Sequence, residues 1–335
     1  MKRRTFLRVV TSAATLTAGA AAIPALSGTA RAQAYPSRPI RIIVAYPPGG
    51  SSDVIARFLG EGMQATLGQA VVLENVGGAN GSIGAGRVAR ARPDGYTLIV
   101  GNSNNFVANG ALYSLQYDLQ RDFAPIALLS ETPILIAARK GLPANDLKQL
   151  IAWLKANPDK GTDGHAGIGS IGQLVGMLFQ KETGTRFQLV PYRGGGPSVL
   201  DLVAGQIDLV MNAASDSLPQ VRAGTVKSIA VMAEQRLSVL PDTPTTDEAG
   251  LLPSFHFSQW FAIWAPKGTP NDVVVTIRRA VMKTLADPTL PPRLAEFGQT
   301  IFPSDKQSPE ALAALQAADI ERWWPIIKAA GLKGD

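Results

Sequence analysis

The chain has 335 residues, 32 Lys plus Arg against 26 Asp plus Glu, and no cysteine. Without thiols there is no thiolate nucleophile, no thiolate metal site and no disulfide, so the fold must rest on an apolar core, for which 46% hydrophobic residues supply the material. The positive excess sits at the start: residues 1–34 hold Lys2, Arg3, Arg4, Arg8 and Arg31 and no acid, which leaves 27 basic against 26 acidic residues beyond them, so the net charge gives no reason to expect nucleic acid or an anionic surface as partner.

In chain order, "MKRRTFLRVVTSAATLTAGAAAIPALSGTARAQA" pairs a basic start with a mildly apolar stretch and small residues near Ala32 and Ala34, the pattern of a cleaved export signal. Arg3 and Arg4 suit the twin-arginine route, and the ordinary secretory route stays open. Short apolar runs then alternate with amphipathic stretches: strands at "IRIIVAY", "AVVLEN", "YTLIVGN", "IALLS" and "PILIAAR", with a helix at "SSDVIARFLGEGMQATLG". The rhythm repeats through a helix at "DLKQLIAWLKANP" and strands near His165 and at "FQLVPY", "IDLVMN" and "VKSIAVM". An aromatic strand, "FHFSQWFAIWAP", leads into three helices without strands of their own. This predicts an α/β fold with parallel sheets covered on both faces, in two domains: 35–136 plus 257–335, and 137–256.

Four loops follow predicted strands, where open α/β sheets collect ligands. The first, "AYPPGGSSD", presents Tyr46, Pro47, Pro48, Gly49, Gly50 and Ser51; one of Ser51, Ser52 and Asp53 is expected to cap the next helix. The second offers the neutral hydrogen-bonding groups Asn102, Ser103, Asn104 and Asn105. A third, "HAGIGSIGQ", has Gly167, Gly169 and Gly172 in the G-x-G-x-x-G spacing, but the next strand ends at Tyr192 and Arg193 rather than at the acid that would hold a ribose. The nucleotide reading therefore fails, and a glycine turn opening a helix N-terminus, suited to an anion or to no ligand, remains. The fourth, "YRGGGPS", carries Arg193, a planar donor that suits a carboxylate. A cleft lined this way fits a small carboxylate.

Enzyme chemistry is thin. His165 and His256 lie in no metal-ligand spacing, and no G-x-S-x-G elbow occurs. Asp208 and Asp216 could pair as acid and base, but a strand start and a helix cap account for them more simply.

Across these residues the chain resembles the periplasmic solute receptors of the tripartite tricarboxylate transporter family, the Bug-type receptors. The segments that carry the likeness are "YPSRPIRIIVAYPPGGSSDVIAR", "LGQAVVLENVGGANGSIGAGRVARARPDGYTL", "PYRGGGPSVLDLVAGQIDLV", "LPQVRAGTVKSIAV", "LPDTPTTDEAG" and "WAPKGTP". The resemblance implies a type II, Venus-flytrap periplasmic-binding-protein fold that closes by hinge rotation on a small organic acid in the cleft between its domains. It further implies delivery to membrane permease subunits, with no cofactor, no metal and no catalysis, by a periplasmic protein expected to be a monomer.

Carried over by position, the family's first ligand loop matches Pro47 to Ser51 and its second Gly169 and Ser170. Gln173 stands where the family often has His, "NNFVANGALY" replaces a Thr and His segment, and Asn212 replaces a common Asp, which suits a ligand without an amino group. A sensor for a membrane signalling partner and an exported hydrolase are the alternatives.

Overall fold

The computed structural model describes residues 35–334; the expected export signal, residues 1–34, lies outside them. The elements are β1 (Ile40–Val44), α1 (Ser51–Leu67), β2 (Val71–Asn75), α2 (Ser82–Ala89), β3 (Thr97–Asn102), α3 (Asn109–Leu112), β4 (Phe123–Arg139), α4 (Leu147–Ala156), β5 (Thr162–His165) and α5 (Ile171–Thr183). There follow β6 (Gln188–Pro191), α6 (Gly195–Val203), β7 (Leu209–Ala213), α7 (Ala214–Arg222), β8 (Val226–Met232), β9 (Ser258–Pro266), α8 (Asn271–Leu285), α9 (Leu290–Ala295), β10 (Thr300–Ile301) and α10 (Pro309–Ala329).

The strands join in the order β2-β1-β3-β9-β4-β7-β5-β6, with β8 and β10 also paired to β4. Pairing is parallel within β2-β1-β3 and within β7-β5-β6, and antiparallel wherever β4 or β9 takes part. The sheet is therefore mixed rather than parallel throughout, because β9 returns from the second set of strands and enters beside β3 in the opposite sense.

The two strands expected at "IALLS" and "PILIAAR" are one strand of 17 residues, β4. Its residues Phe123–Pro133 pair with β9, whereas Ile134–Arg139 pair with β7 and β8. Pro133 lies at the change of partner, where a residue without an N–H interrupts no continuous ladder; the next residue resumes bonding as Ile134 donates to Phe257 O at 2.9 Å.

Both faces of the first set of strands are covered. Ile40, Ile42, Val44, Leu98 and Val100 pack with Ile55, Leu59 and Met63 of α1 and with Ile277 and Val281 of α8. On the other side, Phe106 stacks on Trp264 with ring centroids 3.6 Å apart and meets Phe123 edge-on. Helix α10 closes that layer: Trp324 Nε1 donates to Val107 O (2.8 Å) and Gln316 to Phe106 O (2.9 Å), so its polar groups are satisfied against the short turn after β3. No helix among the described residues is long and apolar enough to cross a membrane.

Candidate functional site

Strand β1 lies between β2 and β3, so the chain leaves its two neighbours on opposite sides and a crevice opens at its carboxyl end. The loop there turns on Gly49, whose φ of +84° favours glycine, and Gly50 is the N-cap of α1. Neither Ser51, Ser52 nor Asp53 is the cap, contrary to expectation; they form the first turn. Asp53 instead reaches back to accept the Gly49 N–H at 3.0 Å, and also accepts from Arg57 Nε (2.7 Å) and Asn75 Nδ2 (3.0 Å). Burial pushes its carboxyl up, but these donors together outweigh burial and hold it below the usual range. With its acid occupied, the turn leaves Ser51 and Ser52 to face the crevice.

The loop after β3 adds an amide cluster. Asn102 Oδ1 accepts the Asn104 N–H (3.0 Å) while its Nδ2 donates to Ser52 Oγ (3.0 Å), tying this loop to α1. Tyr46 Oη lies 3.2 Å from Asn102 Oδ1 and 3.1 Å from Asn80 O, with one proton to share between them. Burial raises the phenol's pKa well above the usual tyrosine range, so it remains a neutral donor. The backbone then widens into a π-type turn over Asn104–Ala108, a local form often found at functional sites. Ser103 is buried beside it and its Oγ has no hydrogen-bond partner.

Across the crevice stand the loops after β5, β6 and β7. Ser170 caps α5, accepting from Gln173 N–H (3.4 Å), and Gln173 Oε1 accepts the Gly169 N–H (2.6 Å) in return. This resembles a capping box with the return bond shifted to the residue before the N-cap, and it engages both side chains. The next N–H of that helix, on Ile171, is taken by Asn104 Oδ1 at 2.9 Å, so an amide from the first strand set fills the N-terminus that the glycine spacing suggested for an anion. Asn212 also bonds inward, donating to Ser198 Oγ (2.9 Å) and Gly164 O (3.3 Å). Arg193 is exposed and lines an adjoining groove with Tyr192, Tyr113 and Ile168.

The two acids considered as a pair lie apart. Asp208 precedes β7, where it accepts from Arg139 Nε (2.8 Å) and Thr162 Oγ1 (3.0 Å); Asp216 lies beyond the other end of β7, in the first turn of α7. Asp216 is not simply a solvated or capping acid, however. Its Oδ1 accepts from Ser51 Oγ at 2.6 Å and from Ser51 N–H at 3.3 Å, and Ser215 Oγ donates to Ser51 Oγ at 2.7 Å. Burial raises the Asp216 carboxyl pKa, with the two Ser51 bonds acting against it. Sequence reasoning missed this residue as a lining group because a first-turn acid already suits a helix N-terminus; its position just after a strand end was the signal available.

These groups line a pocket, with Tyr46, Pro47, Pro48, Gly50, Ser51, Ser52, Asn102 and Asn104 on one side. Ala166, Gly194–Pro197 and Asp216 line the other side, and Gln259 completes it. Of the residues expected in the site, Gly49, Ser103, Gly169, Ser170, Gln173 and Asn212 stand outside this lining, and Arg193 stands in the groove next to it. Helix α6 opens into the pocket with Gly194 as N-cap and no side-chain cap, and a Cβ on Gly195 would collide with the Asp216 carboxylate. Among the described residues no cluster of His, Cys, Asp and Glu is placed to hold a metal.

A family model described as tripartite tricarboxylate transporter family receptor matches residues 55–332. An Agrobacterium vitis protein of the TAR-I ttuE-ttuC' intergenic region is 40% identical over 308 residues, 91% of this chain and 88% of that one. The structure of the periplasmic binding protein BugD is similar at 37% identity and a TM-score of 0.83, covering 89% of this chain and 99% of that one. MatC from Rhodopseudomonas palustris, solved with bound malate, is similar at 36% identity and a TM-score of 0.81, covering 88% and 100%.

Proposed function

Because the chain belongs to the tripartite tricarboxylate transporter receptor family of periplasmic solute-binding proteins, we propose that it is an exported receptor that captures a small organic acid and hands it to the permease subunits of such a transporter. Residues 1–34 are its export signal, cleaved near Ala32 or Ala34. The lobes that close on the ligand are 35–136 plus 257–335, and 137–256; the hinge is where β4 changes partner at Pro133 and where the chain returns at Phe257 into β9.

One observation carries this reading. The pocket lies at strand carboxyl ends, its two sides come from the two proposed lobes, and the N-termini of α1 and α6 open into it behind N-cap glycines that supply no side chain, with Asp216 taking the Ser51 N–H of α1. First-turn N–H groups carry partial positive charge and favour a carboxylate, and the hydroxyls of Ser51 and Ser52 and the amides of Asn102 and Asn104 add neutral hydrogen bonds. Tyr46, Pro47, Pro48 and Gly50 shape the floor, Gly49 supplies the turn, and Arg193 stands at the rim. Ser103, Gly169, Ser170, Gln173 and Asn212 support the wall through the bonds described above.

A thermal-shift screen of the mature chain against carboxylates, aromatic acids, amino acids and neutral solutes tests it. A ligand at about one hundred times its Kd adds roughly 2.7 kcal/mol to the folded state and raises the melting temperature by several degrees. Ser51→Ala should lower the affinity about tenfold by removing a hydroxyl from the lining. A shift with neutral solutes and with no acid would overturn the reading.

A further inference from the structure

Asp216 is the only lining residue of this pocket with a formal charge; no Lys, Arg or His is among them. Its Oδ1 is engaged by both Ser51 donors. Its Oδ2 has no hydrogen-bond partner and overlies Gly195, where any side chain would collide with it. The carboxylate is thus held by Ser51 on one side and lies against the first residue of α6 on the other, in the wall of the pocket onto which that helix N-terminus opens. A ligand that satisfies both features carries a negative group for the helix N–H donors and a cationic donor for Asp216. A second carboxylate in the same place would meet like charge with no cationic side chain to relieve it.

We propose that Asp216 is the specificity-determining residue of the pocket and selects a zwitterionic amino acid, its ammonium on Asp216 Oδ2 and its carboxylate at the first-turn N–H groups. This rests on the receptor reading given above and narrows its ligand class. It also moves the acidic partner of an amino group from the Asn212 position, where the sequence shows an amide, to the first turn of the following helix. Asn212 is committed to Ser198 and Gly164 and is not free to take that role.

The test is isothermal titration of the mature chain with two matched series: L-alanine, L-lactate and propionate, and L-aspartate, L-malate and succinate. In the series that binds, the amino acid should bind at least about tenfold more tightly than its hydroxy and unsubstituted partners, as suits a charge-assisted hydrogen bond. Asp216→Asn should reduce that preference to within about threefold, chiefly by weakening the amino acid. Asp216→Ser serves the same purpose should the amide variant fail to fold, and the comparison in the unmodified protein needs no variant at all. Binding of malate, succinate, lactate or propionate as tightly as the amino acid would overturn the inference and leave the receptor reading standing. So would an amino-acid preference that survives both substitutions. If no member of either series binds and the wider screen finds no acid that does, the inference and the receptor reading fail together.

Discussion

At the scale of single residues, the wall behind the pocket holds two groups whose charge the fold suppresses. His165 is buried on β5, its Nδ1 2.9 Å from Gly167 O and its Nε2 without a partner, and desolvation lowers its pKa from 6.5 to about 4, with the Gly167 bond acting against that shift. A histidine that must stay neutral in the folded state contributes stability that is present above pH 6.5 and is lost as pH falls toward 4, about 3 kcal/mol over that window. The difference between the stability-versus-pH curves of the wild type and His165→Gln should show this loss in the wild type alone; parallel curves would contradict it. Asp163, two residues earlier, has the opposite sign. Burial pushes its carboxyl well above the usual range, so its contribution falls as pH rises above the unfolded carboxyl's value. Ser170 provides a separate check on the pocket's outline. As the N-cap of α5 and fully buried, its replacement by Ala should cost about 1 kcal/mol in chemical denaturation and leave ligand affinity within a few-fold. A tenfold loss of affinity at unchanged stability would place Ser170 in the lining after all.

At the scale of elements, α1 follows the loop after β1 that lines the pocket, and what fixes α1 is its packing against α8. A Cβ on Gly62 would run into Thr284, a β-branched side chain whose Oγ1 is held by Ala280 O at 2.9 Å and which cannot rotate aside without losing that bond. Gly62→Ala gains about 1 kcal/mol of helix propensity but incurs a packing cost of about 1–3 kcal/mol, so a net loss is expected in denaturant unfolding. A gain in stability would show that the two helices are looser than their geometry implies. Much of this level was legible in the sequence. The β-branched runs at "IRIIVAY" and "YTLIVGN" became β1 and β3, and the loops after them came to the crevice as strand-end loops do. What was not legible depended on long-range pairing. "IALLS" and "PILIAAR" fused into β4 because their partners, β9 along the first part of the strand and β7 and β8 along the last, come from remote segments that propensity does not see. Strand β10 has two residues, too few to show a period. The S-x-x-Q spacing of Ser170 and Gln173 was the available signal for their mutual role at the start of α5, beside the more conspicuous glycine spacing. Asp216 was legible only as a first-turn acid, since its bond to Ser51 spans 165 positions.

At the scale of the whole molecule, the proposed lobes meet through a small set of polar bonds that a ligand would share or extend: Ser51 with Asp216, Ser215 with Ser51, and Asn104 with Ile171. Closure around a bound acid should lower the radius of gyration in solution scattering and slow amide exchange in the loops at 47–53 and 194–197, leaving the β1–β3 core unchanged. The most direct test of the account is a crystal structure of the mature chain grown with the acid that gives the largest thermal shift. The account predicts the ligand's carboxylate against the first turns of α1 and α6, within hydrogen-bond distance of Ser51 or Ser52, and its donor group on Asp216. Ligand bound instead in the separate groove beside Glu131, His256 and Arg322 would contradict the assignment of the site.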